Sequence, residues 1–184
     1  KLKILIDEDK FKIGPPLEET ILMWNNLLSN DELHQIKLLF KEYYDSNGFK
    51  NIRVFNNIEN FIQMLHKEKI PLYIATNKRY VPTKKIISCL KWDKYFKEIY
   101  CIDRFKLNKT NKKSMLDFLI RRENINGDEC LYCGDRYDDY ISANANKMKF
   151  LGANWGESDF EKFECDFKII YDLNYSSINF FIGI

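Results

Sequence analysis

Three carboxylates within five residues, Asp135, Asp138 and Asp139, follow an apolar run over 130–133 and a glycine, Gly134. An apolar run that breaks at Gly-Asp and continues as a helical segment reads as a strand followed by a helix. That sets Asp135 at the carboxyl edge of a sheet, where open α/β sheets take their ligands. Clustered carboxylates there suit a hard cation such as magnesium. The same residues also read as an acidic N-cap and a solvated first turn, and by themselves they leave both readings open. Two more polar signals fall at strand ends. Thr76-Asn77 directly follows Tyr73-Ile74-Ala75, and Lys112 opens a helix soon after a strand that ends near Cys101. A hydroxyl with backbone amides, an ammonium and carboxylates meeting at one edge would form a phosphate-and-magnesium constellation. Donors and cation would hold phosphoryl oxygens while the acids hold the metal. Taken singly, Thr76 is an N-cap and Lys112 a solvated lysine on a helix end; their placement at successive strand ends joins them.

The elements that must position these residues can be read from periodicity. Gly14-Pro15-Pro16 breaks the chain. Apolar residues at helical spacing then predict helices over 17–28 and about 32–44, with Ser29 as an N-cap signal and Leu33, Ile36, Phe40 and Tyr43 on one face. From Val54 onward helices and short strands alternate. Helices are predicted over 58–66, 83–90, 112–121 and 140–145, and strands over 70–75, 98–102, 130–133, 148–151 and 167–170, before an apolar helical end. Such alternation with short connections implies an α/β fold: a Rossmann-like parallel sheet covered on both faces.

Composition narrows the function classes. The chain has 184 residues, 45% hydrophobic and 15% aromatic, which is globular and not disordered. A net charge of +2 with dispersed Lys and Arg leaves no nucleic-acid footprint. No apolar run approaches the ~18 residues of a membrane span. The five cysteines, Cys89, Cys101, Cys130, Cys133 and Cys165, are odd in number and irregular in spacing, which predicts a reducing cytoplasm over a disulfide framework. Cys130 and Cys133 are expected to be core thiols, since no second pair completes a metal site. His34 and His66 have no partner motif and take no role.

On these residues the sequence resembles the haloacid dehalogenase superfamily, specifically its phosphoglycolate-phosphatase-like branch, over nearly the whole chain. Ile13-Gly14-Pro15-Pro16-Leu17-Glu18-Glu19 looks like the cap-domain signature of that family, and Tyr43 to Gly48 with Val54-Phe55 like the return from cap to core. Leu72 to Asn77 resembles its second motif, Thr110-Asn111-Lys112 its third, and Gly134-Asp135-Arg136-Tyr137-Asp138-Asp139 its fourth. Gly152-Ala153-Asn154-Trp155-Gly156 matches the loop after the next strand. The resemblance implies a partial helical cap over 1–52 and an α/β core over 53–184. It also implies a magnesium-dependent phosphomonoester hydrolase acting on a small phosphorylated metabolite through an aspartyl-phosphate; composition adds the expectation of neither nucleic acid nor membrane as partner, and no feature of the sequence demands more than a monomer. Thr76, with the Asn77 backbone, would bind a phosphoryl oxygen; Lys112, preferred over Lys113, would neutralise charge; Asp135 would ligate magnesium and Asp139 support it directly or through water. Asp138 has no family role.

The first motif of the family, a strand ending in Asp-x-Asp that supplies the nucleophile, has only Ile4-Leu5-Ile6-Asp7-Glu8-Asp9 as a candidate. The usual Gly-Thr continuation is absent there, and Asp7 to Lys10 fits better as the loop after a cap helix. The expectation is therefore an N-terminally truncated fragment, inactive alone and poorly stable, because that strand would lie mid-sheet between those ending at Thr76 and Cys133. Two alternatives stand beside the enzyme. One is a catalytically inactive binding protein on the same fold. The other is a phospho-accepting receiver domain, against which the late position of the acidic motif argues.

Overall fold

Local chemistry builds the two amino-terminal helices. The structure, a computed structural model, describes residues 17–50, 52–105, 111–164 and 166–173. Helix α1 (Leu17–Trp24) carries Glu18 and Glu19 in its first turn, where carboxylates meet the positive end of the helix dipole. It stops short of the predicted residue 28 because Asn25 turns its side-chain oxygen onto the Leu27 N–H at 3.0 Å, an Asx turn that leaves the helix. Helix α2 (Asn30–Asn47) starts in a reciprocal capping box: the Glu32 N–H donates to Ser29 Oγ at 3.3 Å and the Ser29 N–H to Glu32 Oε2 at 2.9 Å. Lys37 pairs with Glu18 across the hairpin. Of the face predicted for α2, Leu33 is buried while Phe40 and Tyr43 are exposed. The eight residues of α1 reach only the first turns of its partner. The chain divides into two compact units, Lys1–Lys50, to which this hairpin belongs, and Asn51–Ile184.

The second unit alternates as the sequence predicts: α3 (Ile58–Lys67), β1 (Leu72–Thr76), α4 (Tyr80–Cys89), β2 (Phe96–Cys101), α5 (Lys112–Glu123), β3 (Leu131–Gly134), α6 (Tyr137–Asn144), β4 (Lys149–Ala153) and β5 (Lys168–Ile170). Every ladder is parallel. Ala75 lies opposite Tyr100, Cys133 opposite Leu151 and Gly152 opposite Ile169. Helix α4 begins three residues before the predicted start because Pro82 sits in its first turn, where a missing N–H costs nothing.

Alternation along the strands sorts their side chains onto two covered faces. Leu72 and Ile74 join Ile99 and Cys101 against Ile62 of α3 and Ile87 of α4. Tyr73, Ala75 and Tyr100 pack on Met115, Leu119 and Phe118 of α5. Glu123, at the end of α5, accepts from Tyr100 Oη at 2.6 Å and Tyr73 Oη at 3.1 Å and pairs with Lys97 at 2.9 Å, which pins that helix to β1 and β2. Helix α3 reaches both groups of strands, since Ile58, Phe61 and Met64 also pack on Leu151, Ile170 and Leu173. No helix among the described residues is long and apolar enough to cross a membrane.

Among the described residues the strands form two ladders, β1–β2 and β3–β4–β5, so β1 and β3 each have an open side. Burial follows this division. Strands β2 and β4 end in runs of three buried residues, whereas no residue of β1 or β3 is buried. Burial is thus lowest on β1 and β3, each of which has an open side among the described residues. This corrects the expectation for Cys133, which is exposed and not a core thiol, because it lies on the strand bordering the seam. Cys130, just before that strand, is partly buried.

Candidate active site

The residues singled out from the sequence occupy the carboxyl ends of β1 and β3 and the amino ends of the helices beside them. Thr76 closes β1, and its hydroxyl oxygen accepts the Lys78 N–H at 3.1 Å, which folds the turn after the strand and leaves the hydroxyl proton available. Asn77 is exposed in that turn. Lys112 is the first residue of α5, whose N-cap, Asn111, accepts the Ser114 N–H at 2.9 Å. Its ammonium reaches Asp139 Oδ1 at 2.7 Å and Tyr132 Oη at 3.3 Å. Tyr132 Oη in turn donates to the carbonyl oxygen of Ala75 at 3.1 Å. One phenol therefore ties Lys112 to the residue before Thr76, and the hydroxyl, the ammonium and the acidic turn share one sheet edge. Lys113 is exposed and donates no bond into this group, while Asp138 is solvated.

Burial alone would lower the pKa of the Lys112 ammonium, but the Tyr132 phenol and the Asp139 carboxylate outweigh it and hold that pKa above its ordinary value. Burial pushes the Tyr132 phenol up to about 12 against the opposing pull of Lys112, so it stays a donor at neutral pH. Lys112 and Asp139 side chains are 11% and 7% exposed. Removing one partner of so enclosed a pair leaves an uncompensated charge, and Lys112→Met is expected to cost about 3 kcal/mol in denaturant unfolding. An unchanged midpoint would show that the pair contributes no net stability.

Asp139 has both oxygens occupied, Oδ1 by Lys112 and Oδ2 by the Arg136 N–H at 3.3 Å. It sits so close under the end of β3 that a Cβ on Gly134 would meet Asp139 Oδ2 at 2.6 Å. Asp135 differs. Its Oδ2 accepts the Glu157 N–H at 2.9 Å, and its Oδ1 has no hydrogen-bond partner among the described residues. The acidic first turn of α6 is real: Asp138 there is solvated, while Asp139 is buried and accepts the Arg136 N–H, and the Tyr137 N–H is capped by Asp159 Oδ1 at 2.8 Å.

A hard cation fits this donor set in one way. Asp135 offers a free oxygen, Asp139 a supporting carboxylate already held by Lys112, and magnesium characteristically takes one or two carboxylates while keeping waters and phosphate oxygens. The described residues hold no group of three or more His, Cys, Asp or Glu placed to cage a metal. Tyr132, Arg136, Gly156, Glu157 and Asp159 were not singled out as site residues in the sequence. Gly156 falls in the Gly-Ala-Asn-Trp-Gly run; a Cβ there would meet Asp135 Cβ at 2.8 Å, so a glycine beside an acidic turn was an available signal. Asp7 and Asp9 lie outside the described residues, as do Thr110 and the chain after Leu173.

Comparison with known proteins identifies the family. The sequence pattern of the family described as haloacid dehalogenase-like hydrolase matches residues 4–153. A 5'-nucleotidase of Pseudomonas aeruginosa is 27% identical over 146 residues, covering 78% of this chain and 64% of that protein. A phosphoglycolate phosphatase of Photobacterium profundum is 28% identical over 127 residues, 67% of this chain and 54% of its own length. The chain thus spans somewhat more than half the length of these curated relatives. Among solved structures, a putative phosphatase from Clostridium difficile superposes with a TM-score of 0.76 at 24% identity, covering 92% of this chain and 79% of that one. Fold, motif order and family match coincide: the chain belongs to the haloacid dehalogenase-like hydrolases.

Proposed function

We propose that this chain carries the phosphate- and metal-binding half of a phosphomonoester hydrolase that acts on a small phosphorylated metabolite in the cytoplasm. The observation that carries the reading is the Lys112–Asp139 pair, linked through Tyr132 to the carboxyl end of β1. Thr76 Oγ and the Asn77 backbone would donate to phosphoryl oxygens, and Lys112 would offset their charge while Asp139 and Tyr132 orient it. Asp135 would hold magnesium through Oδ1, with Asp139 as indirect support. Magnesium, when bound, supplies charge neutralisation at the phosphoryl group. The attacking carboxylate would come from a strand between β1 and β3, outside the described residues, and an aspartyl-phosphate would then be hydrolysed by water. The helical hairpin of the first unit would act as a cap that sets substrate size.

The names of the relatives suggest two substrate classes, nucleoside monophosphates and phosphoglycolate. With a strand ending in Asp-x-Asp supplied to the chain, a screen of both, with sugar phosphates and pyrophosphate, is expected to show phosphate release that needs magnesium and stops with a chelator. A second reading concerns the nucleophile. Asp7 and Asp9, the acids that could supply the nucleophile, lie outside the described residues. A catalytically inactive binding protein would bind phosphate without turnover and lose binding on Thr76→Ala. Hydrolysis lost on Asp7→Asn would instead locate the nucleophile within this chain.

A further inference from the structure

The turn after β4 comes back to the start of α6 and closes a ring of polar contacts on it. The Glu157 N–H donates to Asp135 Oδ2 at 2.9 Å. Arg136 Nη1 donates to the Glu157 carbonyl oxygen at 3.2 Å, and Arg136 Nη2 pairs with Asp159 Oδ2 at 3.2 Å. The Tyr137 N–H donates to Asp159 Oδ1 at 2.8 Å, so the ring returns to the residue beside Arg136. Every link joins 135–137 to 157–159. The Asp159 side chain is 15% exposed, enough enclosed for its charge to be felt by Arg136. A face-to-face stack of Tyr137 on Phe163, with centroids 3.9 Å apart, holds the same two segments together from the apolar side.

We propose that Asp159 is a positioning residue for Asp135, acting through Arg136 and Glu157 to fix which carboxylate oxygen faces the site. This rests on the reading of Asp135 as a metal ligand. A carboxylate on a short side chain rotates in a broad, nearly two-fold well, so its oxygens are equivalent until something distinguishes them. Here the Glu157 N–H distinguishes them, and Gly156 lets that peptide come close enough to do so. The next peptide is held in turn, its Glu157 carbonyl accepting from Arg136, and Arg136 is held by Asp159. Within the helix Asp139 accepts the Arg136 N–H, but the Arg136 side chain cannot accept a helix amide; Asp159 accepts the Tyr137 N–H and pairs with Arg136, one oxygen for each. Loss of its charge frees Arg136, lets the 156–157 peptide swing, and returns Asp135 to a rotating, doubly solvated carboxylate.

The test is manganese binding by the full chain, followed by electron paramagnetic resonance, which reads the site without turnover. Supporting residues around metal ligands typically contribute 10–100-fold in affinity. Asp159→Ala and Arg136→Met should each weaken binding about tenfold, and the double variant no further. Asp159→Asn keeps an acceptor for the Tyr137 N–H and should weaken binding less than the alanine variant while folding normally. Asp135→Asn should abolish binding. Wild-type affinity in folded Asp159→Asn and Arg136→Met, with Asp135→Asn silent, overturns the positioning role and leaves the metal site standing. A lower melting temperature with unchanged affinity overturns it equally, as a merely structural role. Unaltered binding by Asp135→Asn, or none by the wild-type chain, overturns the metal reading and the positioning role with it.

Discussion

In the chain completed by a strand ending in Asp-x-Asp, Asp135→Asn is expected to remove magnesium-dependent phosphate release almost completely, by about 10³-fold or more, while leaving the fold intact. The reason lies in which oxygen is already spoken for. Asparagine can keep the Glu157 N–H on its carbonyl oxygen, as Asp135 Oδ2 does at 2.9 Å. Its amide NH₂ then stands where Oδ1 stood, placing two donors where a cation needs an acceptor. Asp139→Asn should behave differently. Both oxygens there accept, one from Lys112 and one from the Arg136 N–H, so the amide must turn its donors on one of them. That variant should lose stability as well as activity. Measuring melting temperature and metal-dependent turnover for both separates a ligand from a support. Full activity in Asp135→Asn would remove this residue from the chemistry.

The sequence separated the two acids only through the family resemblance. The contacts that set them apart come from Glu157 and Lys112, which lie 22 residues after Asp135 and 27 before Asp139. What was legible depended on local rules: the capping box at Ser29, the run that ends at Thr76, and the break at Gly134-Asp135. Helix α6 was expected from residue 140; it starts at Tyr137, whose N–H is accepted by Asp159 from across the fold while Asp139 accepts the Arg136 N–H. Tyr132 could be placed on a strand by periodicity, yet nothing in the sequence shows a phenol reaching Ala75 on a strand to which β3 is not hydrogen-bonded. Cys133 was misjudged for a related reason. Its apolar neighbours predict a buried strand, and burial requires a neighbour on each side.

That open side gives the second large effect. A polypeptide that supplies one parallel strand between β1 and β3 is expected to raise stability by about 5 kcal/mol, from roughly five new backbone hydrogen bonds at ~1 kcal/mol each. Apolar burial would add to this. The five residues of β1 and the four of β3 set the length of strand the seam takes. Mid-sheet parallel strands are nearly continuous in apolar residues, and the Lys112 ammonium at the carboxyl end of the seam favours a carboxylate there. Without such a strand, amide hydrogen exchange should be faster in β1 and β3 than in β2 and β4, whose ends are buried. With it, β1 and β3 should become the slowest-exchanging strands, and the melting temperature should rise by several degrees. The comparison can be made between this chain alone and the same chain mixed with, or fused to, an apolar strand ending in Asp-x-Asp. If β1 and β3 exchange as slowly as β2 and β4 in the chain alone, the seam is already filled by its own residues. Asp7 and Asp9 then become the acids to replace first.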